Sequence, residues 1–312
     1  MHEKYQRLID YCKTLTPVPT AVAHPCDQSS LQGAVDAAKI GLIAPILTGP
    51  RERIEKVARL NKINIKGLSI VDAPYSEASA AAAVELVREG KAEAIMKGSL
   101  HTDELMGAVV RRDTGLRTGR RISHCFVMDV PGYAETLIIS DVAVNIAPTL
   151  AEKVDIVQNA IDLAHAMQVK KKNKEVRVAI LSAMETVNPN VPSTIEAAAL
   201  CKMADRGQIT GAILDGPLAF DNAISLEAAK IKKIDSPVAG RANVLIVPDL
   251  EAGNMLAKSL IYLSGADAAG IVLGARVPII LTSRADSVMT RLASCAVASL
   301  VAKARRESSA VK

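Results

Sequence analysis

The chain is poor in aromatics: tryptophan is absent, phenylalanine occurs twice, and aromatic residues make up 2% of 312 positions. A core of this kind must be filled by Ala, Val, Ile and Leu, which favours buried parallel strands under Ala-rich helices. The same scarcity argues against nucleic-acid binding by base stacking, which needs aromatic platforms. No apolar run approaches the roughly 20 residues of a membrane span, so no membrane association is expected. The N-terminal stretch Met1-His-Glu-Lys-Tyr-Gln-Arg7 is charged and lacks the apolar segment of a signal peptide. Five cysteines (Cys12, Cys26, Cys125, Cys201 and Cys295) are scattered without a CxxC pair. Neither a zinc site nor a thioredoxin-like role is indicated, and the odd count fits reduced thiols in a cytoplasm. His2, His24, His101, His124 and His165 show no metal-ligand spacing. Neither a Walker loop nor a GxGxxG fingerprint occurs.

What is present is a modest net charge of +5 without a long basic run, a balance that suits a small anionic substrate better than nucleic acid. The cluster Lys170-Lys171-Lys172 with Lys174 reads as a solvated turn between a helix and a strand.

Short apolar runs alternate with helical patterns along the whole chain. Strands are expected at 20–23, 42–47, 68–71, 94–96, 125–128 and 137–139, with helices at 31–39, 51–60, 76–88 and 104–111. A Pro-Gly turn makes 125–128 and 137–139 the best candidate for an antiparallel hairpin. Further on, strands are expected at 176–181, 212–214, 244–247, 271–273 and 279–281, with helices at 151–167, 195–203, 224–230, 251–263 and 286–304. The tail 305–312 is expected to fray. This alternation means an α/β fold with a mostly parallel sheet and helices on both faces. The length suits two domains or one large one, with a boundary near Ala147-Pro148.

Several strand ends run into polar loops, where open α/β sheets place their sites. Pro278-Ile-Ile-Leu-Thr-Ser-Arg-Ala-Asp-Ser287 ends an apolar run in hydroxyls, Arg284 and Asp286 just before a helix. A planar guanidinium can bind two phosphate oxygens at once, and Asp286 can accept a proton; helix capping explains the same residues equally well. Lys97-Gly-Ser-Leu-His-Thr102 offers the backbone N–H groups of Gly98 and Ser99 to an anion at a helix start, while a lone His101 there also suits a structural hydrogen bond. Pro248-Asp-Leu-Glu-Ala-Gly-Asn254 puts Gly253 and Asn254 into a first helical turn, either for close approach of a ligand or backbone, or as part of a plain cap. Asp215-Gly-Pro-Leu-Ala-Phe-Asp221 carries two carboxylates, and turn chemistry alone accounts for Asp-Gly-Pro. The segment 111–121 holds five arginines, Arg120 among them, and reads as a flexible anion gate or a solvated loop.

Together, Asp215–Asp221, Ser236-Pro-Val-Ala-Gly240, Pro248–Asn254 and Ser283-Arg284, with Lys97–Thr102 and Asp141-Val-Ala-Val-Asn145, resemble the phosphate acetyl/butyryltransferase family from about Tyr5 to Ala304. The closest likeness is to the phosphate acetyltransferase domain that some bacteria fuse behind a MaoC-like enoyl-CoA hydratase, the hydratase portion being expected to be absent here. The resemblance implies two three-layer α/β/α domains with an interdomain cleft: 1–147 plus 288–312, the last helix returning to the first domain, and 148–287. It implies acyl transfer between coenzyme A and phosphate, with no metal or other cofactor, coenzyme A as substrate, a homodimer, and coupling to an acyl kinase. By this resemblance Ser283, Arg284 and Asp286 are the catalytic candidates: Arg284 for phosphate, Ser283 for the developing oxyanion and Asp286 for the thiol proton, because the thiolate is the better nucleophile. Gly98, Ser99, His101, Thr102, Arg120, Asn145, Asp215 and Asn254 are the substrate-binding candidates. The chain departs from the family pattern in two places. Thr290 stands where the acetyl branch has a catalytic Asp, and Gly107 and Ala108 stand where it has an Arg, which Arg111, Arg112 or the loop beyond would replace. The first reading is a phosphate acetyltransferase, converting acetyl-CoA and phosphate reversibly to acetyl phosphate and coenzyme A; propionyl or butyryl transfer is the alternative, since the sequence does not fix the acyl-chain length. Two other functions compete: an acetyl-CoA-sensing module, and a dehydrogenase of the isopropylmalate type, for which neither a metal carboxylate cluster nor a nicotinamide site is seen.

Overall fold

The computed structural model describes residues 3–168, 175–281 and 286–310. The lysine cluster 170–174 lies outside them, as do 282–285. The chain divides into two compact units: a split unit of His2–Arg120 with Ala269–Lys312, and an inserted unit of Arg121–Ala268.

The split unit opens with helix α1 (Glu3–Cys12), which the sequence reading did not anticipate. Its signal was the spacing of Tyr5, Ile9 and Cys12, one face of a helix and all buried. The Tyr5 hydroxyl accepts from the Ala269 N–H at 2.8 Å, and the Cys12 thiol donates to the Ala296 carbonyl at 3.4 Å. Then follow β1 (Val18–Ala23), α2 (Gln28–Lys39), β2 (Ile43–Gly49), α3 (Arg51–Leu60), β3 (Ser69–Asp72), α4 (Ser76–Arg88), β4 (Ala94–Lys97) and α5 (Thr102–Val109). Helix α4 forms from a run of Ala, the residue with the highest helix propensity, and buries Ala80, Ala83 and Val84.

The inserted unit comprises β5 (Ser123–Asp129), β6 (Leu137–Ser140), α6 (Leu150–Ala166), β7 (Arg177–Leu181), α7 (Pro192–Asp205), β8 (Ile213–Leu218), α8 (Phe220–Ile224), α9 (Leu226–Ile231), β9 (Val244–Ile246) and α10 (Leu250–Ser264). Its strand order is β5-β6-β9-β7-β8. The expected hairpin is present, Cys125 opposite Ser140 and Met128 opposite Leu137, and β6 then runs parallel to β9. That pairing is why 121–147, expected with the first domain, packs with β7–β9. The single helix expected at 224–230 is two helices, because Ser225 leaves the helical region (φ −116°, ψ 115°) and its hydroxyl caps α9. Nor is Asp215-Gly-Pro a turn: β8 runs through it, with a register shift against β7.

The chain returns to the split unit through β10 (Asp267–Leu273), β11 (Ile279–Ile280) and α11 (Val288–Ala310). Strand order there is β3-β2-β1-β4-β11-β10, parallel except that β11 is antiparallel to β10. Strands β1 and β4 are buried almost throughout by aliphatic side chains, as expected for a sheet covered on both faces. The tail does not fray from 305: α11 continues, its Arg305 guanidinium donating to the Ala275 and Arg276 carbonyls while Arg306 pairs with Glu93 at 2.5 Å. Among the described residues no helix is long and apolar enough to cross a membrane.

Candidate active site

In the split unit the chain moves outward from β1 to β2 and β3, then crosses back to lay β4 on the other side of β1. The crevice beyond the carboxyl ends of β1 and β4 is therefore a topological switch point, where open α/β sheets hold ligands. A cavity of about 520 Å³ opens there, lined by His24, Asp27, Arg53, Ser76, Ser99, Leu100, His101 and Glu104.

Two loops build it. After β1, His24 takes a left-handed conformation (φ 56°), which turns the chain sharply; His is one of the few residues enriched in that region. After β4, the backbone passes against this turn. The Gly98 N–H donates to the Ala23 carbonyl at 2.8 Å, and the Ser99 N–H to the His24 carbonyl at 2.9 Å. A Cβ on Gly98 would lie 2.3 Å from the Ala23 oxygen, so only glycine fits. The Ser99 hydroxyl also donates to the His24 carbonyl at 2.8 Å and accepts from the Cys26 N–H at 3.3 Å.

The carboxylates in the cavity hold the scaffold. Asp27 caps α2, accepting from the Ser30 N–H at 2.8 Å and the Ser30 hydroxyl at 2.7 Å. Glu104 accepts from the Ser76 hydroxyl and from the His101 N–H, both at 2.6 Å. These two bonds, the Ser76 bond first, hold its carboxyl below the usual range. The His24 ring bonds Ser79 Oγ through Nδ1 at 3.0 Å. Its pKa is lowered, first by burial and then by the Arg53 charge, with Glu104, Asp27 and Glu77 opposing. Burial pushes the Cys26 thiol up to about 11, which leaves it inert as a nucleophile near neutrality.

Of the residues singled out from sequence, Ser99 and His101 line this cavity and Gly98 shapes it. Thr102 opens α5 and is exposed. Asn145 is buried elsewhere, in a turn of the inserted unit. Its amide donates to the Ile122 carbonyl at 2.9 Å and to Asp141 Oδ2 at 2.5 Å, and its Oδ1 accepts from Arg121 Nε at 2.7 Å. Both amide hydrogens are thus committed to the scaffold. Asn254 donates to the Val142 carbonyl at 3.3 Å, and a Cβ on neighbouring Gly253 would lie 2.7 Å from the Asp141 oxygen. The close approach suggested at Gly253 is therefore backbone on backbone. Asp215 lies in β8 and accepts from the Gly216 N–H at 2.9 Å.

The arginine-rich segment is anchored rather than loose. The Leu116 carbonyl accepts from the Arg276 N–H at 2.9 Å, the Thr118 hydroxyl donates to the Gly274 carbonyl at 2.6 Å, and Arg117 bridges Ala275. Arg120 is exposed at its end. Arg111 and Arg112 follow the far end of α5, an eight-residue helix, hence about 12 Å from its start at 1.5 Å per residue. Among the described residues, the arginine that lines the cavity is Arg53 of α3, which sequence reasoning missed along with His24, Asp27, Ser76 and Glu104. A signal was available: His24-Pro-Cys-Asp27 follows the strand at 20–23 just as the Lys97 loop follows the strand at 94–96.

Ser283 and Arg284 lie outside the described residues. Strand β11, whose Ile279 and Ile280 pair with Ile95 and Met96 of β4, leads into them. Asp286 is half-buried just ahead of α11, where the Ser287 hydroxyl accepts from the Thr290 N–H at 3.0 Å. Thr290 itself is buried.

The sequence pattern of the phosphate acetyl/butaryl transferase family matches residues 73–299. The chain is 64% identical to a phosphate acetyltransferase of Rhizobium meliloti, over 97% of this chain and 95% of that one. It is 39% identical to a phosphate butyryltransferase of Clostridium acetobutylicum, over 97% and 99%. A branched-chain phosphotransacylase from Enterococcus faecalis V583 superposes with a TM-score of 0.78 at 29% identity, over 91% of this chain and 99% of that one.

Proposed function

Because the chain belongs to the phosphate acetyl/butaryl transferase family, we propose that it moves an acetyl group reversibly between coenzyme A and inorganic phosphate. The observation that carries acetyl over butyryl is the 64% identity to a phosphate acetyltransferase against 39% to a phosphate butyryltransferase, each over 97% of the chain. The switch-point cavity supports the reading, since it joins a cation, Arg53, to the hydroxyls of Ser76 and Ser99. In this proposal the coenzyme A sulfur attacks the carbonyl carbon of acetyl phosphate and phosphate departs with the C–O bonding pair. Arg284 holds the phosphate in a bidentate grip, Arg53 adds a second positive charge, and Ser283 donates to the oxyanion that forms at carbon.

The proposal extends to a homodimer in the cytoplasm, acting on acyl phosphate supplied or consumed by an acyl kinase. Helix α10 carries exposed Met255, Tyr262 and Leu263, an apolar stripe that supports self-association; light scattering of wild type and Tyr262→Ser tests it.

The deciding experiment is coenzyme A-dependent consumption of acetyl phosphate, followed at the thioester absorbance, with propionyl and butyryl phosphate alongside. Turnover highest with acetyl phosphate is expected. No turnover with any acyl phosphate, together with saturable acetyl-CoA binding, would make the protein a sensing module and remove the roles of Ser283 and Arg284.

A further inference from the structure

We propose that His24 is the group that accepts the coenzyme A thiol proton as sulfur attacks the acyl carbon. The inference rests on the acyl-transfer reading above and assigns the proton transfer within it.

The hydrogen bonds around His24 determine which ring nitrogen is available. Ser79 has one hydroxyl hydrogen and donates it to the Tyr75 carbonyl at 2.7 Å. A carbonyl cannot donate, so that hydrogen is committed, and Ser79 Oγ meets His24 Nδ1 at 3.0 Å as the acceptor. The neutral ring therefore carries its hydrogen on Nδ1 and its lone pair on Nε2, on a side chain that lines the cavity. A second-partner bond of this kind is how a catalytic imidazole is held in one tautomer. The backbone is held as firmly, with the His24 carbonyl accepting from both the N–H and the hydroxyl of Ser99.

A lone pair selects its partner. Nε2 repels the oxygens of an acyl phosphate dianion and attracts a donor, and the donor among the reacting groups is the thiol S–H. Burial and Arg53 disfavour the imidazolium, while Glu104, Asp27 and Glu77 favour it, and burial is the largest influence. The ring is consequently neutral, and competent to accept, at pH 7. Asp286, the other candidate, is not among the described residues lining this cavity.

The step balances. As the C–S bond forms, the S–H proton passes to Nε2; the C–O bond to phosphorus breaks with its electron pair on the phosphate oxygen. That oxygen then takes the proton from His24 and leaves as hydrogen phosphate, and the ring is neutral again. In reverse, His24 takes the proton of attacking hydrogen phosphate and returns it to the departing thiolate.

The test is His24→Asn. Asparagine tolerates the left-handed backbone and retains an N–H for Ser79, but has no counterpart of Nε2. At pH 7, kcat/KM for coenzyme A with acetyl phosphate should fall about 10²-fold, the lower range for a lost general base, with KM for acetyl phosphate unchanged. The deficit should shrink above about pH 8.5, the ordinary thiol pKa, where thiolate forms without a base. The wild-type acid limb, which follows His24 protonation below pH 6.5, should vanish. An unchanged rate, a deficit that does not vary with pH, or the whole pattern appearing in Asp286→Asn instead would overturn the proposal. His24→Gln, read the same way, serves if the Asn variant does not fold. Absence of turnover in the wild type would defeat the acyl-transfer reading itself, an outcome distinct from wild-type turnover that His24→Asn leaves intact.

Discussion

Two loops of similar chemistry, one in each unit, have opposite fates. In the inserted unit, the Asp141–Asn145 turn after β6 closes on itself. Asp141 accepts from the N–H groups of Ala143, Val144 and Asn145 and from the Asn145 amide, and Arg121 covers the Asn145 oxygen. In the split unit, the loop after β1 has Asp27 in comparable bonds and its His24 carbonyl held by Ser99 of the loop after β4, but the His24 ring is held through one nitrogen and borders a cavity. Complete satisfaction makes a scaffold, because a buried polar group is cheap only when every bond is made. A site needs the reverse: groups held firmly by some of their atoms, with one left to act.

The comparison breaks hardest at Asp141. Asp141→Ala would orphan buried donors, and should cost about 3 kcal/mol, read as a lower urea midpoint with kcat unchanged in the fraction that remains folded. Next is Gly98→Ala, whose Cβ would strike the Ala23 and His24 carbonyls. Loss of about 2 kcal/mol is expected from such overpacking, accompanied here by a fall in kcat, since the loop after β1 must move. If Gly98→Ala lowered stability and left kcat intact, the loop would be scaffold like its counterpart.

A third test uses acid. Burial drives the His124 imidazole down to about 4, with Asp141 opposing. Since the unfolded chain takes up this proton near pH 6.5 and the folded chain does not, stability is full above pH 6.5. It should fall as pH drops toward 4, by up to about 1.4 kcal/mol per pH unit. His124→Phe should flatten that limb in thermal melts without altering the pH profile of kcat/KM, which belongs to His24. The smallest effect is expected from Ser79→Ala. It frees the His24 tautomer and should lower kcat less than tenfold, with stability within about 1 kcal/mol; a loss equal to that of His24→Asn would show that orientation, not proton acceptance, dominates.

The alternation of apolar runs and helical patterns was enough to read the α/β architecture and the β5–β6 hairpin, because burial on both faces of a sheet writes itself directly into composition. It was silent on α1, whose Tyr5, Ile9 and Cys12 sit among charged residues, and on the continuation of α11, which depends on carbonyls at Ala275 and Arg276 far away in sequence. The Lys97–Thr102 loop was legible because glycine before a helix start has a physical meaning. His24 and Arg53 were not, since their role arises from strand order: β4 must cross to the far side of β1 before the two loops meet. Asn145 misled for the same reason, as its partners Arg121 and Ile122 lie more than 20 positions away.

The division of the chain also sets an order of events at the ribosome. The split unit draws its sheet from both sides of the inserted unit, and β11 is the strand that pairs with β4 on its open side. While synthesis proceeds from residue 120 to 268, β4 waits as an unpaired edge, a template for association with other nascent chains. The inserted unit, contiguous in sequence, can close during that interval. Translation speed across 121–268 thus governs how long an aggregation-prone edge stays exposed, and synonymous codon changes there should alter soluble yield without altering a single residue of the finished protein.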